Sequence, residues 1–273
     1  MTNSQPSAQA TEQYLSFAKD VALEAGRMIR KAFEQPRVNN YGRKSATDPV
    51  TETDHAVEAY ILARIRERFP AHKVIGEESA SQTVWTEQPT WIVDPIDGTA
   101  NFVHRIPMCA VSIGFTVNRE YIIGVIYNPI LNELFEATHT SSSKLNGQPI
   151  HVSDVHDLSS ACISTEGGSD RSEAKINWIL TNLNRMLNNQ VQCVRMMGSC
   201  ALNLAYLACG RLDVSYERGP HPWDLAAGVL IVRRAGGTVL SGDFDNHSDF
   251  ELTGGSVLAY TPALAGALLG NVL

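Results

Sequence analysis

The sequence predicts a mixed α/β protein whose helices and sheets stack in layers. Three observations carry this. The 273 residues, 44% hydrophobic and 19% charged, suffice for one large domain or two closely packed lobes. The first part reads as a helix pair followed by strands with a hairpin. Beyond about residue 150, strands alternate with helices. The expected organisation is a disordered tail over 1–12 and a single domain over 13–273. Its two lobes, about 13–150 and 151–273, share a central cleft.

Residues 14–33 place Leu15, Ala18, Ala22, Ala25, Ile29 and Ala32 at three- and four-residue spacing, an amphipathic helix. The polar stretch NNYGRKSATDP reads as a loop. A second helix follows from about Thr53 to Phe69, striped by Val57, Ile61 and Ile65 and closed by Pro70. KVIG and WIV are strands that each run into acids. AVSIGFTV and YIIGVIY form a hairpin across Asn118-Arg119-Glu120. ATHTSSSKLNG reads as a surface loop. ACIST, VQCVRM, LDVSYE and TVLS are strands; 172–187, 199–209 and DLAAGVLIVRRA are helices, the last stopped by Gly236-Gly237.

Net charge is −7, the pI is about 5.6 and no Lys/Arg run occurs, so nucleic acid is not an expected partner. No apolar stretch approaches the roughly 20 residues of a membrane span, and the amino terminus lacks a signal peptide's basic and apolar regions. Five scattered cysteines without a C-x-x-C suit a reducing compartment. The expectation is a cytoplasmic protein.

Four acidic spots lie where an apolar element meets a loop or helix start: Asp54, Glu77-Glu78, Asp94 with Asp97, and Asp224. Taken singly, Asp54 and Asp224 suit helix caps, and Glu77-Glu78 a solvated turn. DPIDGT is harder to explain by packing. Two carboxylates at a strand end repel unless a cation sits between them. Oxygen-only donors select Mg²⁺ or Mn²⁺ over zinc, and carboxylates sharing two ions can clamp a phosphoryl group. Gly98 lets the backbone approach closely, and N–H groups at a following helix start point at an anion. The D-x-D-G-T of haloacid dehalogenase phosphatases differs by one residue in spacing and would carry a covalent aspartate. His104 and His221 read as structural, Trp91 and Trp223 as packing.

Taken together, D-P-V-T-E-T-D at 48–54, G-E-E-S at 76–79, W-I-V-D-P-I-D-G-T-A-N-F at 91–102 and P-W-D-L-A-A-G at 222–228 make the chain resemble the inositol monophosphatases. The likeness runs from the first helix to VLAY. It implies an α-β-α-β-α sandwich of the sugar phosphatase type, a homodimer, and lithium-sensitive, Mg²⁺-dependent hydrolysis of a phosphate monoester by direct attack of water. About two to three Mg²⁺ ions per subunit are implied. Glu77, Asp94 and the Ile96 carbonyl would hold the first. Asp94, Asp97 and Asp224 would hold the second, and Glu77 would share a third. Gly98 and Thr99 would meet phosphate, and Asp54 with Thr99 would orient and deprotonate the water. Lys44 matches a basic residue near the site.

The same resemblance makes Asp97, Ser169, Gly198, Ser199, Cys200, Glu217 and Asp224 substrate contacts, with myo-inositol as leaving group. Cys200 departs from the alanine frequent in relatives. Two alternatives remain open: the same mechanism on another sugar phosphate, histidinol phosphate or phosphoadenosine phosphate, or a non-catalytic relative acting as a binding or regulatory protein.

Overall fold

A computed structural model describes residues 5–36, 41–79 and 84–269. Helix α1 spans Ala8–Phe33. It starts earlier than its apolar stripe because Ser7 caps it, accepting from Ala10 N at 3.2 Å, and because Thr11 is buried. Residues 8–12 are therefore helix and not tail, and residues 1–4 lie outside the described residues. Most of the expected loop before Pro49 is a hairpin, β1 (Gly42–Ser45) with β2 (Asp48–Val50); its Asn39 and Asn40 lie outside the described residues. Helix α2 (Glu52–Arg68) follows, capped by Thr51.

The first large sheet holds β3 (Lys73–Gly76), β4 (Thr90–Asp97), β5 (Ala110–Val117), β6 (Glu120–Asn128), β7 (Glu133–Thr138), β8 (Lys144–Leu145) and β9 (Gln148–Pro149) in that spatial order. Only β3 and β4 run parallel. The short helix α3 (Thr99–His104) leaves the end of β4. The second sheet is built from β10 (Cys162–Thr165), β11 (Cys193–Arg195), β12 (Val214–Arg218), β13 (Thr238–Gly242), β14 (His247–Asp249) and β15 (Ser256–Tyr260). Its order is β11-β10-β12-β15-β13-β14. Helices α4 (Glu173–Asn188), α5 (Cys200–Ala208), α6 (Pro222–Arg234) and α7 (Ala265–Leu269) complete the chain.

Strand alternation sorts these elements into five layers. Trp91, Val93, Phe115, Ile123 and Val125 face α1 and α2, while Ile92, Ala110 and Ile126 face α5 and α6. Beyond α5 and α6, Val239, Val257 and Ala259 form the inner face of the second sheet. Ile163, Val214, Tyr216 and Leu258 on its outer face pack with Met186 of α4 and Leu268 of α7. The order α-β-α-β-α is the expected sandwich.

Helix α6 is buried on nearly every side, and two glycines bring it down onto the first sheet. Gly114 and Gly124 are cross-strand partners. A Cβ on the first would stand 2.8 Å from the Ala226 Cβ, and on the second 2.6 Å from the Ala227 carbonyl oxygen. At the other end of α6 the segment expected as a surface loop is anchored. Ser143 is fully buried and donates to the Ile231 carbonyl at 2.6 Å, and Arg234 Nε donates to Ser141 O at 2.7 Å.

Candidate active site

Residues three apart on a regular strand point to opposite faces. Asp94 and Asp97 escape this because β4 carries one extra residue between them: Asp94 pairs with Ser112 and Asp97 with Ala110. Both carboxylates thereby face the α5–α6 layer. Asp224 arrives there as the third residue of α6. Ser112 helps seat it, donating to the Trp223 carbonyl at 3.1 Å. Ligand oxygens of Asp94, Asp97 and Asp224 lie within 4.8 Å of one another.

Asp224 is also a capping residue, accepting from His221 N at 2.6 Å. Asp54 likewise accepts from Thr51 N at 2.9 Å and from the Thr51 hydroxyl. Capping therefore accounts for one oxygen of each acid and leaves the other free for the site. The second oxygen of fully buried Asp54 lies 3.0 Å from Thr99 Oγ1, which is also 3.0 Å from the Ile96 carbonyl. Gly98 precedes α3 at φ 88°, and a Cβ there would fall 2.7 Å from the Met108 carbonyl oxygen. Only glycine suits both the turn and the contact.

Glu77 follows β3 beside Asp94, and Lys44 from the β1–β2 hairpin bridges Glu77 at 2.6 Å and Glu78 at 2.7 Å. Burial pulls the Lys44 ammonium down, but the two glutamates together hold it above its ordinary value. Behind this turn, buried Glu58 of α2 accepts from Glu78 N at 2.8 Å.

Desolvation, and then the charges of Glu77, Asp97 and Asp224, pushes Asp94 well above the carboxylate range. Burial together with neighbouring carboxylates pushes Asp97 and Asp224 up to about 7. Burial carries Glu77 to about 7 despite Lys44. Desolvation raises Asp54 against the bonds from Thr51 and Thr99. So many crowded acids require either protons or cations. All the donors are oxygens, and among the described residues neither His104 nor His221 joins the cluster. The set fits a hard divalent cation. His221 stacks on Trp223 instead, centroids 4.7 Å apart.

Next to the acid cluster, Ser199 caps α5 and donates to Asp97, which also accepts from Ala201 N at 2.9 Å. Cys200 is buried against Glu217, and burial pushes both groups well above their ordinary values, Glu166 and Asp224 adding to the rise of Glu217. Ser169 sits on an exposed loop whose backbone accepts from Thr47 at 2.7 Å, tying it to the β1–β2 hairpin. Sequence reasoning missed Glu58, Asn101 and Glu166. Glu166 repeats the signal used for Asp94, an apolar strand running into an acid and then glycine, in ACISTEGG.

The fold and site define the class: a five-layer α/β protein with an acid cluster able to hold a metal ion beside a glycine turn. The chain belongs to the inositol monophosphatase family, whose model matches residues 10–271. It is 45% identical over 231 residues to inositol monophosphatase of Dictyostelium discoideum, covering 84% of this chain and 85% of that one. Human inositol monophosphatase 2 is 46% identical over 233 residues, covering 84% and 80%. Among solved structures, the inositol monophosphatase of Anabaena (Nostoc) superposes with a TM-score of 0.82 at 33% identity, covering 94% of both chains. SaIMPase-II, solved with inositol monophosphate bound, gives 0.77 at 27% identity, covering 94% and 92%.

Proposed function

We propose that this protein hydrolyses myo-inositol monophosphate to myo-inositol and phosphate by direct attack of water. The observation that carries the reading is the convergence of Asp94, Asp97 and Asp224 within 4.8 Å, beside the Asp54–Thr99 pair at 3.0 Å. Glu77, Asp94 and the Ile96 carbonyl would hold one Mg²⁺, and Asp94, Asp97 and Asp224 a second. A third would share Glu77. Bound there, Mg²⁺ would supply charge stabilisation for the phosphoryl oxygens and acidify water.

The chain's own groups do the rest. Thr99 has one hydroxyl proton and two acceptors within reach, Asp54 and the Ile96 carbonyl. With the proton donated to the Asp54 carboxylate, the stronger acceptor, the Thr99 oxygen accepts from a water. The water's proton then passes through Thr99 to Asp54 as its oxygen bonds phosphorus. The bond from phosphorus to the inositol oxygen breaks, that oxygen takes a proton from solvent water, and Asp54 returns its own proton to solvent. The N–H groups of Gly98 and Thr99 meet the phosphate. Ser169, Gly198, Ser199, Cys200 and Glu217 face the polyol, with Glu217 accepting from ring hydroxyls. Ser112 is no nucleophile in this scheme, since its hydroxyl is committed to Trp223.

Phosphate release from inositol phosphates, other sugar phosphates, histidinol phosphate and phosphoadenosine phosphate tests the substrate. The proposal predicts a kcat/KM preference for inositol monophosphate of at least about tenfold, roughly 1.4 kcal/mol. A flat profile would overturn the inositol reading while leaving the phosphatase. A homodimer is part of the proposal, supported by an exposed apolar stripe on α4 made of Ile176, Leu180 and Leu187. A reducing, cytoplasmic setting is also proposed, supported by the five free cysteines; no helix is long and apolar enough to cross a membrane among the described residues.

A further inference from the structure

One buried acid near Asp97 has no part in the scheme above. Glu166, just past β10, is 8% exposed, and a single oxygen accepts from Met197 N and Gly198 N at 2.8 Å and from Asn203 Nδ2 at 2.9 Å. Asn101 holds the same turn from its other side, donating to the Met197 carbonyl at 2.6 Å and to the Met108 carbonyl at 2.8 Å. The turn between β11 and α5 is thus clamped by its N–H groups and its carbonyl at once. Gly198 adopts φ 76° inside the clamp, where a Cβ would stand 2.8 Å from Asn101 Nδ2. Glu166 leaves the end of β10 and Asn203 lies in α5, so the clamp ties the turn to the second sheet, which also carries Glu217.

We propose that Glu166 is a positioning residue that sets residues 198–200 against the polyol of the substrate. This rests on the inositol phosphatase reading above. Asp97 also accepts from Ser199, but it keeps its anchorage in the β4 ladder and its bond from Ala201 N of α5, so the larger effect falls on polyol recognition and cation uptake changes little. Geometry rather than charge does the positioning, because the bonds are accepted from neutral N–H groups.

The test is kinetic, on the full Mg²⁺-loaded enzyme, with myo-inositol 1-phosphate and with 4-nitrophenyl phosphate, which has no polyol. Glu166→Asp keeps the charge but is one methylene short of the turn, and Glu166→Gln keeps the length and an accepting oxygen. For Glu166→Asp the proposal expects KM for inositol phosphate to rise about tenfold with kcat within about threefold. Aryl phosphate kinetics and calorimetric Mg²⁺ affinity should stay within about threefold. Glu166→Gln should resemble the wild type on both substrates. A loss shared equally by both substrates, no loss on either, or a Glu166→Gln variant as impaired as Glu166→Asp overturns it. Should the wild type itself hydrolyse both phosphates without preference, the substrate reading falls first and takes this inference with it.

Discussion

Asp94 shows how a site residue opposes the stability of its own fold. It is 2% exposed, hemmed in by Glu77, Asp97 and Asp224 and further from water than any lone carboxylate tolerates. Asp94→Asn keeps the oxygen that accepts from Ile96 N at 2.9 Å and removes the charge. Two outcomes are expected. Mg²⁺-dependent phosphate release falls at least about a hundredfold, and cation-free protein gains about 1–3 kcal/mol in urea denaturation, as like-charge repulsion is relieved. The same crowding sets a pH dependence for cation-free protein. Glu77, Asp97 and Asp224 each titrate near 7 when folded, driven by burial, against about 4 when unfolded. Between those values the folded state binds more protons, so stability falls as pH rises from about 4 to about 7 and then levels off. Lys44 offsets part of this at Glu77, while Glu166 and Glu217 add to the repulsion. Thermal unfolding in chelator across that range reads the slope, and saturating Mg²⁺ should flatten it. At this scale the sequence was informative, because acids at strand ends and helix starts announce themselves. The bulge that turns Asp97 to the side of Asp94 did not, since it depends on the register with β5.

Elements carry the site through close packing of backbone. Gly114 and Gly124 let α6 lie against β5 and β6, and α6 carries Asp224 in its first turn. Gly114→Ala places a methyl 2.8 Å from the Ala226 Cβ. The helix must lift, which costs about 1–3 kcal/mol and moves Asp224 away from Asp94 and Asp97. Reduced Mg²⁺ affinity by calorimetry, alongside a lower urea midpoint, is the expected pair of changes; lost stability with unchanged affinity would show that Asp224 is placed independently of the contact. The helices and central strands were legible from periodicity. The β1–β2 hairpin was not, because GRKS and DPV have no alternation: all four residues of β1 are exposed and those of β2 are partly so. That hairpin nonetheless delivers Lys44 to Glu77. The start of α1 escaped for a similar reason, its first turns being held by a Ser cap and a buried threonine instead of an apolar stripe.

For the whole molecule, the five layers leave α4 on the outside with an apolar stripe exposed among the described residues. Ile176, Leu180 and Leu187, spaced four and seven residues apart, are 41%, 58% and 66% exposed. A second copy would bury them, and Leu180→Arg should then weaken the dimer about a hundredfold in light scattering while changing monomer stability by less than about 0.5 kcal/mol. A monomeric wild type would end the dimer proposal without touching the site. The layering explains why distant motifs read as one family pattern: α2, β3, β4 and α6 contribute acids because the sandwich brings their ends together. The most direct measurement is calorimetric titration of Mg²⁺ into chelator-stripped protein. The account predicts saturable uptake by the wild type that is lost in Asp94→Asn; no uptake, or equal uptake by both, would contradict it.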